Sequence, residues 1–253
     1  MAESNEAPKS VEPNPRVEEL ETEFYGRLIE ALPHLSNDKV TAANLLPLAH
    51  QFAEEQAKLE KKAVLDSLLP DFFKHQYFLH LLDLEATAAE RKTAPDSALV
   101  VLDFDKFGDF NTKFGHPTGD KLLISASQAM LKSLRRGDTA GRVGGDELAV
   151  IVHRVTQEGA VAAARRLQAA VIQTSQEEFG AQGWSQTISV GICLIQPRCS
   201  GELVRGIADK ALYASKHAEK DKNRISIAMI DTETKAVRIV PVAPKAEPTS
   251  KHK

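Results

Sequence analysis

The stretch Arg142-Val143-Gly144-Gly145-Asp146-Glu147-Leu148 places two glycines and two acids between residues typical of strands. Apolar and polar residues alternate around the glycine pair over residues 142–152, and this pattern predicts a β-hairpin. Glycines at the turn let the backbone approach a ligand closely, where a side chain would collide. A Gly-Gly-Asp sequence alone is more often an ordinary turn, so a function at Asp146 needs support from elsewhere in the chain.

That support begins with the run Ala98-Leu99-Val100-Val101-Leu102-Asp103. A short, continuous apolar run bounded by turn residues predicts a buried central strand. If this strand and the hairpin share one sheet, Asp103 and Asp146 meet at one edge. Two carboxylates there suit Mg²⁺, which takes one or two carboxylates together with substrate phosphates and water. In phosphoryl and nucleotidyl transfer, such a metal neutralises developing negative charge.

The rest of the chain predicts a mixed α/β fold. Because at least one antiparallel hairpin is expected, the pattern disfavours a purely doubly wound sheet. Helices are predicted at residues 72–91, 121–136, 157–178 and 201–220, and strands at 186–195, 224–230 and, in the tail, 236–242.

Residues 1–65 differ from the rest of the chain in their composition and residue pattern. Residues 1–15 are polar and proline-bearing, which predicts disorder. Residues 16–65 carry two helical patterns, which indicate a helical hairpin or a dimerising stalk. The first pattern ends near Pro33, and the second has Pro47 in its first turn. Its predicted apolar side consists of Leu48, Phe52, Leu59 and Leu65, and the apolar side of the first consists of Val17, Leu20, Phe24, Leu28 and Leu32.

Composition excludes several classes of protein. A net charge of -3 gives no global basic field for nucleic-acid binding. The two cysteines, Cys193 and Cys199, form neither a disulfide framework nor a zinc-ligand spacing, and reduced thiols are expected. No signal peptide is evident at the N-terminus, and no apolar run approaches the roughly 18 residues that span a bilayer. These features predict a cytoplasmic protein.

Four ordered motifs, spread over residues 66–230, resemble those of the GGDEF family of diguanylate cyclases. The first is Asp103-Phe104-Asp105-Lys106-Phe107, followed by Asn111 and by Gly115-His116-Pro117-Thr118-Gly119-Asp120. The second is the hairpin itself, the third is Ser189-Val190-Gly191-Ile192, and the fourth is Ala208-Asp209-Lys210-Ala211-Leu212-Tyr213-Ala214-Ser215-Lys216. The resemblance implies an α+β domain with a central mixed sheet flanked by helices, similar to a polymerase palm, preceded by a helical region.

The resemblance also implies an activity: condensation of two GTP molecules into cyclic di-GMP with release of pyrophosphate. One domain holds half of the reaction centre, so catalysis implies a homodimer of C2 type. The metal would be Mg²⁺, with Mn²⁺ as an alternative, bound by Asp103, by Asp146 and by the backbone carbonyl of Phe104. The matching catalytic hairpin positions are Gly144, Gly145, Asp146 and Glu147.

For the nucleotide, the resemblance implies guanine recognition by Asn111 and Asp120. A carboxylate accepts hydrogens from guanine N1 and N2, and adenine lacks the N2 donor, so Asp120 favours GTP. Lys216 matches a phosphate-binding lysine, a suitable point charge for a triphosphate. Further substrate contacts are expected at His116, Phe107, Gly108 and Lys220.

Arg135-Arg136-Gly137-Asp138 matches the family's Arg-x-x-Asp inhibitory site, which implies product feedback through Arg135 and Asp138. The plainer interpretation is a basic pair at a helix C-terminus, where positive charge favours the helix dipole.

Several positions depart from the family pattern: Gly108 replaces a lysine, Thr112 an aspartate, Leu148 a phenylalanine, and Glu219 stands where a glycine is usual. Two alternatives to an active cyclase therefore stay open. One is a catalytically weak domain that serves as a receptor for GTP or cyclic di-GMP. The other is a scaffold that binds a partner through its N-terminal helices.

Overall fold

The computed structural model describes residues 22, 42–89, 97–197, 199–217, 223–230, 234 and 236–243, with side chains left out at 42–49 and 52. The chain divides into two compact units, residues 1–64 and residues 65–253. In the first unit, helix α1 covers Ala42–Val64. In the second, the elements are β1 (Phe73–Lys74), α2 (His75–Ala89), β2 (Ser97–Phe104), α3 (Phe107–Phe114), α4 (His116–Ser133), β3 (Thr139–Arg142), β4 (Glu147–Val152), α5 (Gln157–Phe179), β5 (Ile188–Ile195), α6 (Gly201–His217), β6 (Ile225–Ile230) and β7 (Val237–Pro241).

The strands form one seven-stranded mixed sheet in the order β1-β3-β4-β2-β5-β6-β7. Strand β2 is antiparallel to both its neighbours, β4 and β5, and all eight of its residues are buried. The pairs β1–β3 and β5–β6 are parallel, while β3–β4 and β6–β7 are antiparallel. This is the mixed sheet that the sequence predicted, with the predicted central strand, β2, fourth of its seven strands.

Helices cover both faces of the sheet. Alternate residues of β2 point to opposite faces and so pack against different helices. Ala98, Val100 and Leu102 pack in a cluster with residues of α3, α4 and α5. Leu99 and Val101 pack in a second cluster with residues of α2 and α6. Since Asp103 continues the second series, its carboxylate lies on the α6 side of the sheet.

The predicted element types are confirmed, but several bounds were wrong. The helix predicted from Phe72 begins at His75, because Phe73–Lys74 pairs with β3 as a parallel strand. Helix α3 was missed, and α4 begins at His116, five residues before the predicted start, with Pro117 in its first turn. The tail strand is present as β7. Arg91, Glu219 and Lys220 lie outside the described residues.

Helix α1 differs from its predicted form. Pro47 lies inside the helix rather than in its first turn. Leu59, predicted on the apolar side, is 52% exposed, whereas Ala53 and Ala57 are buried. Leu65 follows the helix, and the first predicted helix falls almost wholly outside the described residues.

Both cysteines are free and buried. Burial raises the pKa of the Cys193 thiol to about 12, with a smaller contribution from Cys199. Among the residues that the structure describes, no helix is both long and apolar enough to cross a membrane.

Candidate active site

The turn at Gly144 and Gly145 joins β3 to β4, which pair with Arg142 opposite Leu148. The carbonyl of Glu147 accepts hydrogen bonds from the amides of Val143 (3.0 Å) and Gly144 (3.2 Å). Asp146 therefore stands at a turn whose backbone is closed by its own hydrogen bonds, as the hairpin pattern predicted.

The two turn glycines differ in the space around them. A Cβ atom added at Gly144 would lie 2.6 Å from Glu147 Oε2, so this glycine makes room for the folded-back glutamate. A Cβ added at Gly145 would meet nothing within 4 Å. The free space at Gly145 is available for a ligand.

Arg142 connects this turn to the start of the domain through hydrogen bonds. Its guanidinium donates two hydrogen bonds to the carbonyl of Gly145, at 2.7 and 3.1 Å, and a third to Asp66 Oδ1 at 3.1 Å. The same Asp66 oxygen accepts the amides of Leu68 and Leu69. Arg142 was quoted in the hairpin stretch without a role, and no role was assigned to Asp66.

Asp103 lies at the end of β2, directly opposite Glu147 in the sheet register. Its carboxylate forms an ion pair with Lys216, with Nζ to Oδ2 at 2.7 Å. Burial raises the pKa of Asp103, Lys216 opposes the rise, and the negative charges of Asp146 and Glu147 add to it. Desolvation lowers the pKa of Lys216, but the hydrogen bond and charge of Asp103, together with the charges of Asp146 and Glu147, outweigh it, so this pKa is raised as well.

The arrangement fits a metal that takes few protein ligands. The amide of Phe104 is 3.4 Å from the carbonyl of Asp146, so β2 and the turn are adjacent. Within the described ranges, no group of three or more His, Cys, Asp or Glu side chains converges as a metal cluster would. Mg²⁺ does not need such a cluster, since substrate phosphates and water complete its shell.

The predicted base-recognition residues lie where α3 meets α4. The side-chain oxygen of Asn111 is buried without a hydrogen-bond partner in the structure. A side chain at Gly119 would overlap with this oxygen and crowd the ring of Phe107. Asp120 and His116 are exposed in the first turns of α4. A buried amide oxygen without a partner, next to exposed polar groups, fits a pocket for a polar ring that would supply the missing hydrogen bond.

Phe107 has a mainly structural position. It is 8% exposed, and its ring contacts Phe104 edge-on and stacks on Phe110. Its backbone begins α3, and the first amides of a helix have no partner within the helix, which favours an anion there. Lys106, just before it, adopts a left-handed conformation (φ 55°), which is rare outside glycine. A Cβ added at Gly108 would meet nothing within 4 Å, so this first turn is open.

Asp105 was quoted in the first motif without a role, and the structure gives it one. Its carboxylate, 5% exposed, accepts hydrogen bonds from the hydroxyls of Ser189 (2.7 Å) and Thr187 (2.8 Å) and from the amide of Asn223 (3.0 Å). The side chain of Gln186 donates to its carbonyl. Asp105 thereby joins the end of β2 to the start of β5 and to the segment before β6.

The predicted inhibitory pair lies between α4 and β3. Asp138 accepts hydrogen bonds from the amides of Arg135 (2.9 Å) and His153 (3.2 Å), so it shapes this turn. Arg135 and Arg136 are both exposed. The structure therefore presents one acid with a local structural role beside two accessible cations.

The amino-acid sequence matches a known family, "Diguanylate cyclase, GGDEF domain", over residues 63–222. The chain belongs to the GGDEF family. Diguanylate cyclase DosC of Escherichia coli (strain K12) is 27% identical over 187 residues, which are 74% of this chain and 39% of DosC. Diguanylate cyclase DgcP of Pseudomonas aeruginosa is 35% identical over 144 residues, covering 56% of this chain and 21% of DgcP. The chain thus spans only about two fifths of the length of DosC.

Solved structures agree with this GGDEF fold. The GGDEF domain of DgcB from Caulobacter crescentus, in complex with c-di-GMP, aligns with a TM-score of 0.59 at 28% identity and covers 65% of this chain and 95% of its own. The coiled coil and GGDEF domain of the same protein aligns with a TM-score of 0.63 at 25% identity, covering 74% and 96%. The predicted fold class and family are confirmed.

Proposed function

We propose that this protein is a diguanylate cyclase, which condenses two GTP molecules into cyclic di-GMP and releases two pyrophosphates. The observation that carries the proposal is the meeting of Asp103, Lys216 and the Gly144–Glu147 turn at one edge of the sheet, in a chain of the GGDEF family. The relatives named above as diguanylate cyclases support the same activity.

In the proposed reaction, the 3′-hydroxyl of one GTP forms a bond to the α-phosphorus of the other. The bond between the α-phosphorus and the bridging oxygen breaks, and pyrophosphate leaves. A second, reciprocal transfer closes the ring. Each protomer holds one GTP, so two protomers of a homodimer face each other during the reaction.

Asp103, Asp146 and the carbonyl of Phe104 would hold Mg²⁺, or Mn²⁺ in its place. The metal would supply charge neutralisation on the phosphate oxygens. Lys216 would then bind a phosphate as a point charge, and the first-turn amides of α3, at Phe107 and Gly108, would bind another. Lys220 stays a prediction, because it lies outside the described residues.

For the base, Asn111 and Asp120 would recognise the guanine edge. The buried oxygen of Asn111 lacks a hydrogen-bond partner in the structure, and guanine offers donors that satisfy such an acceptor. His116, exposed in the same turn as Asp120, would line the pocket.

The direct test is incubation of the purified protein with GTP and Mg²⁺, followed by chromatography for cyclic di-GMP. Asp146→Asn removes one negative charge at similar side-chain size and is expected to lower the rate by at least about a hundredfold, since a bound metal supplies several kcal/mol of charge stabilisation. Glu158→Gln, which neutralises an exposed acid in the first turn of α5, is the matched control and should keep wild-type activity. A near-wild-type rate in Asp146→Asn would refute the metal assignment.

A second function, binding of cyclic di-GMP at Arg135 and Asp138, is proposed from the same chain. The accessible Arg135 beside a fixed Asp138 supports it, because a guanidinium binds phosphate and an acid binds the guanine edge. In an active enzyme, this site would give product inhibition. In an inactive one, it would make the protein a receptor.

Arg135→Ala tests this binding site, with Arg136→Ala as a control for loss of one exposed neighbouring cation. Only Arg135→Ala is expected to weaken cyclic di-GMP binding and relieve inhibition. Equal effects of both variants would contradict the specific site. A wild-type protein that binds cyclic di-GMP tightly but makes none would establish the receptor function in place of the cyclase.

A further inference from the structure

The side chain of His75 makes a contact just beyond the end of the β1–β3 ladder. Strand β1 ends at Lys74, paired with Arg142, so the next residue of each strand, His75 and Val143, leaves the ladder together. There His75 Nδ1 lies 2.7 Å from the carbonyl oxygen of Val143. The imidazole therefore takes the place of a further ladder hydrogen bond at the carbonyl of Val143.

The Val143 residue begins the catalytic turn and is held from both sides. Its amide donates to the carbonyl of Glu147, at 3.0 Å, while its carbonyl contacts His75. The next amide, that of Gly144, donates to the same Glu147 carbonyl. A change at His75 is thus transmitted through one residue to the turn that carries Asp146.

The partners of His75 determine the position of its proton. A carbonyl oxygen only accepts hydrogen bonds, so Nδ1 must carry the hydrogen in its contact with Val143. On the other side of the ring, Nε2 lies 3.4 Å from Nη1 of Arg205, and a guanidinium only donates. Nε2 can accept from Arg205 only when it carries no hydrogen. The two contacts together therefore favour the neutral ring with hydrogen on Nδ1.

Arg205 is itself held on α6 by Asp209, with Nε to Oδ2 at 3.8 Å. The same helix carries Lys216, the partner of Asp103. His75 therefore connects the turn to the helix that provides the phosphate-binding lysine. Nothing in the four family motifs described above includes His75 or Arg205.

We infer that His75 is a positioning residue for the catalytic turn, acting as a neutral Nδ1–H imidazole that donates to Val143 and accepts from Arg205. This inference rests on the proposed cyclase activity for its kinetic consequence but not for its structural one. His75 touches no substrate in this scheme; it acts through Val143 on the orientation of Asp146 and Glu147.

The first test requires no activity. Nitrogen-15 NMR of the ring in the whole, nucleotide-free protein is expected to show a protonated Nδ1 and an unprotonated Nε2. Arg205→Met should perturb the Nε2 signal, and the exposed ring of His80, on the same helix, is the internal reference. A ring protonated on Nε2 alone cannot donate to Val143 and would overturn the inference even in an active enzyme.

The second test is kinetic and uses three variants. His75→Phe keeps a ring but cannot donate, and it is expected to lower kcat by about ten- to a hundredfold with little change in KM, because small displacements of catalytic groups have effects of that size. His75→Asn places an amide donor near the position of Nδ1 and should recover most of the loss. His80→Asn should leave both constants unchanged.

Hydrogen exchange at the amides of Val143 and Gly144 tests the positioning role of His75 separately from the proposed cyclase activity. Faster exchange in His75→Phe, with recovery in His75→Asn, supports the positioning role whether or not cyclic di-GMP is formed. Unchanged exchange together with unchanged kcat in His75→Phe would overturn it. If His75→Phe fails to fold, the tautomer of the wild-type ring and the Arg205→Met variant still decide.

Discussion

At the scale of single residues, the ion pair between Lys216 and Asp103 joins two groups that the proposed reaction must separate. Asp103 is expected to bind the metal and Lys216 a phosphate, yet the two are 2.7 Å apart in the structure. Each opposite charge stabilises the other: Lys216 opposes the burial that raises the pKa of Asp103, and Asp103 helps to raise the pKa of Lys216. In the proposed reaction, substrate binding would therefore exchange one ion pair for two new charge contacts.

This exchange predicts effects of opposite sign for Lys216→Met. Without nucleotide, removal of the competing cation should tighten Mn²⁺ binding to the protein, because Asp103 loses its counter-charge. With GTP present, the same variant should raise KM, because a phosphate contact is lost. Mn²⁺ titration by electron paramagnetic resonance and steady-state kinetics measure the two effects. Lys210→Met, at an exposed position of the same helix, is the control, and weaker Mn²⁺ binding in Lys216→Met would contradict the exchange.

Asp105 gives a second prediction, one of stability. Asp105→Ala leaves the buried hydroxyl of Ser189 without its acceptor, together with the half-buried Thr187 hydroxyl and Asn223 amide. An unsatisfied buried group costs about 1–3 kcal/mol, so the free energy of unfolding should fall by about that amount, measured by urea denaturation. Asp109→Ala, at an exposed acid on α3, should change it by less than about 0.5 kcal/mol. A loss in Asp105→Ala no larger than that of this control would show that Asp105 does not hold β2 and β5 together.

At the scale of secondary-structure elements, the sequence predicted what local patterns encode. The central strand, the hairpin, α5 and β5 follow from apolar runs, alternation and periodicity within one segment. Strand β1 has no such pattern, because two residues form a strand only by pairing with β3, which lies far along the chain. Helix α3 was missed because it is only eight residues long, with Gly108 near its start.

The same distinction explains the site. Asp103, Asp146, Asn111 and Lys216 stand in recognisable motifs, so the family resemblance found them. His75 and Arg205 had no local signal, since the partners of His75 lie 68 and 130 residues away in the chain. Such contacts exist only once the sheet has formed.

The β3–β4 turn allows a prediction about its two glycines. Gly145→Ala should leave the fold intact, because its Cβ meets nothing within 4 Å, but should lower activity if the nucleotide approaches there. Gly144→Ala should displace the flexible end of the Glu147 side chain, which lies 2.6 Å from the new Cβ. Thermal unfolding and the rate of cyclic di-GMP synthesis measure the two effects. Gly206→Ala, in open space on α6, should lose no activity, and an active Gly145→Ala would show that the nucleotide does not approach this glycine.

At the scale of the whole molecule, the chain combines a GGDEF domain with elements on either side of the family match. The match ends at residue 222, and β6 and β7 continue the same sheet beyond it. On the N-terminal side, α1 belongs to a separate compact unit. The helical region before residue 65 is predicted to promote the dimer.

The exposed Leu59 provides a way to test that dimer in the full chain. If α1 pairs with its copy through apolar side chains, Leu59→Glu should weaken dimerisation, because a charge would be buried at the contact. Gln51→Glu adds the same charge at another exposed position of α1 and is the control. Sedimentation velocity measures the dimer, and synthesis measured over a series of protein concentrations reports its consequence. We expect the specific activity of the wild type to rise with concentration and that of Leu59→Glu to need a higher concentration for the same value. Identical dimerisation in Leu59→Glu and Gln51→Glu would place the dimer contact elsewhere, and a specific activity independent of concentration in a purely monomeric wild type would contradict the two-protomer reaction itself.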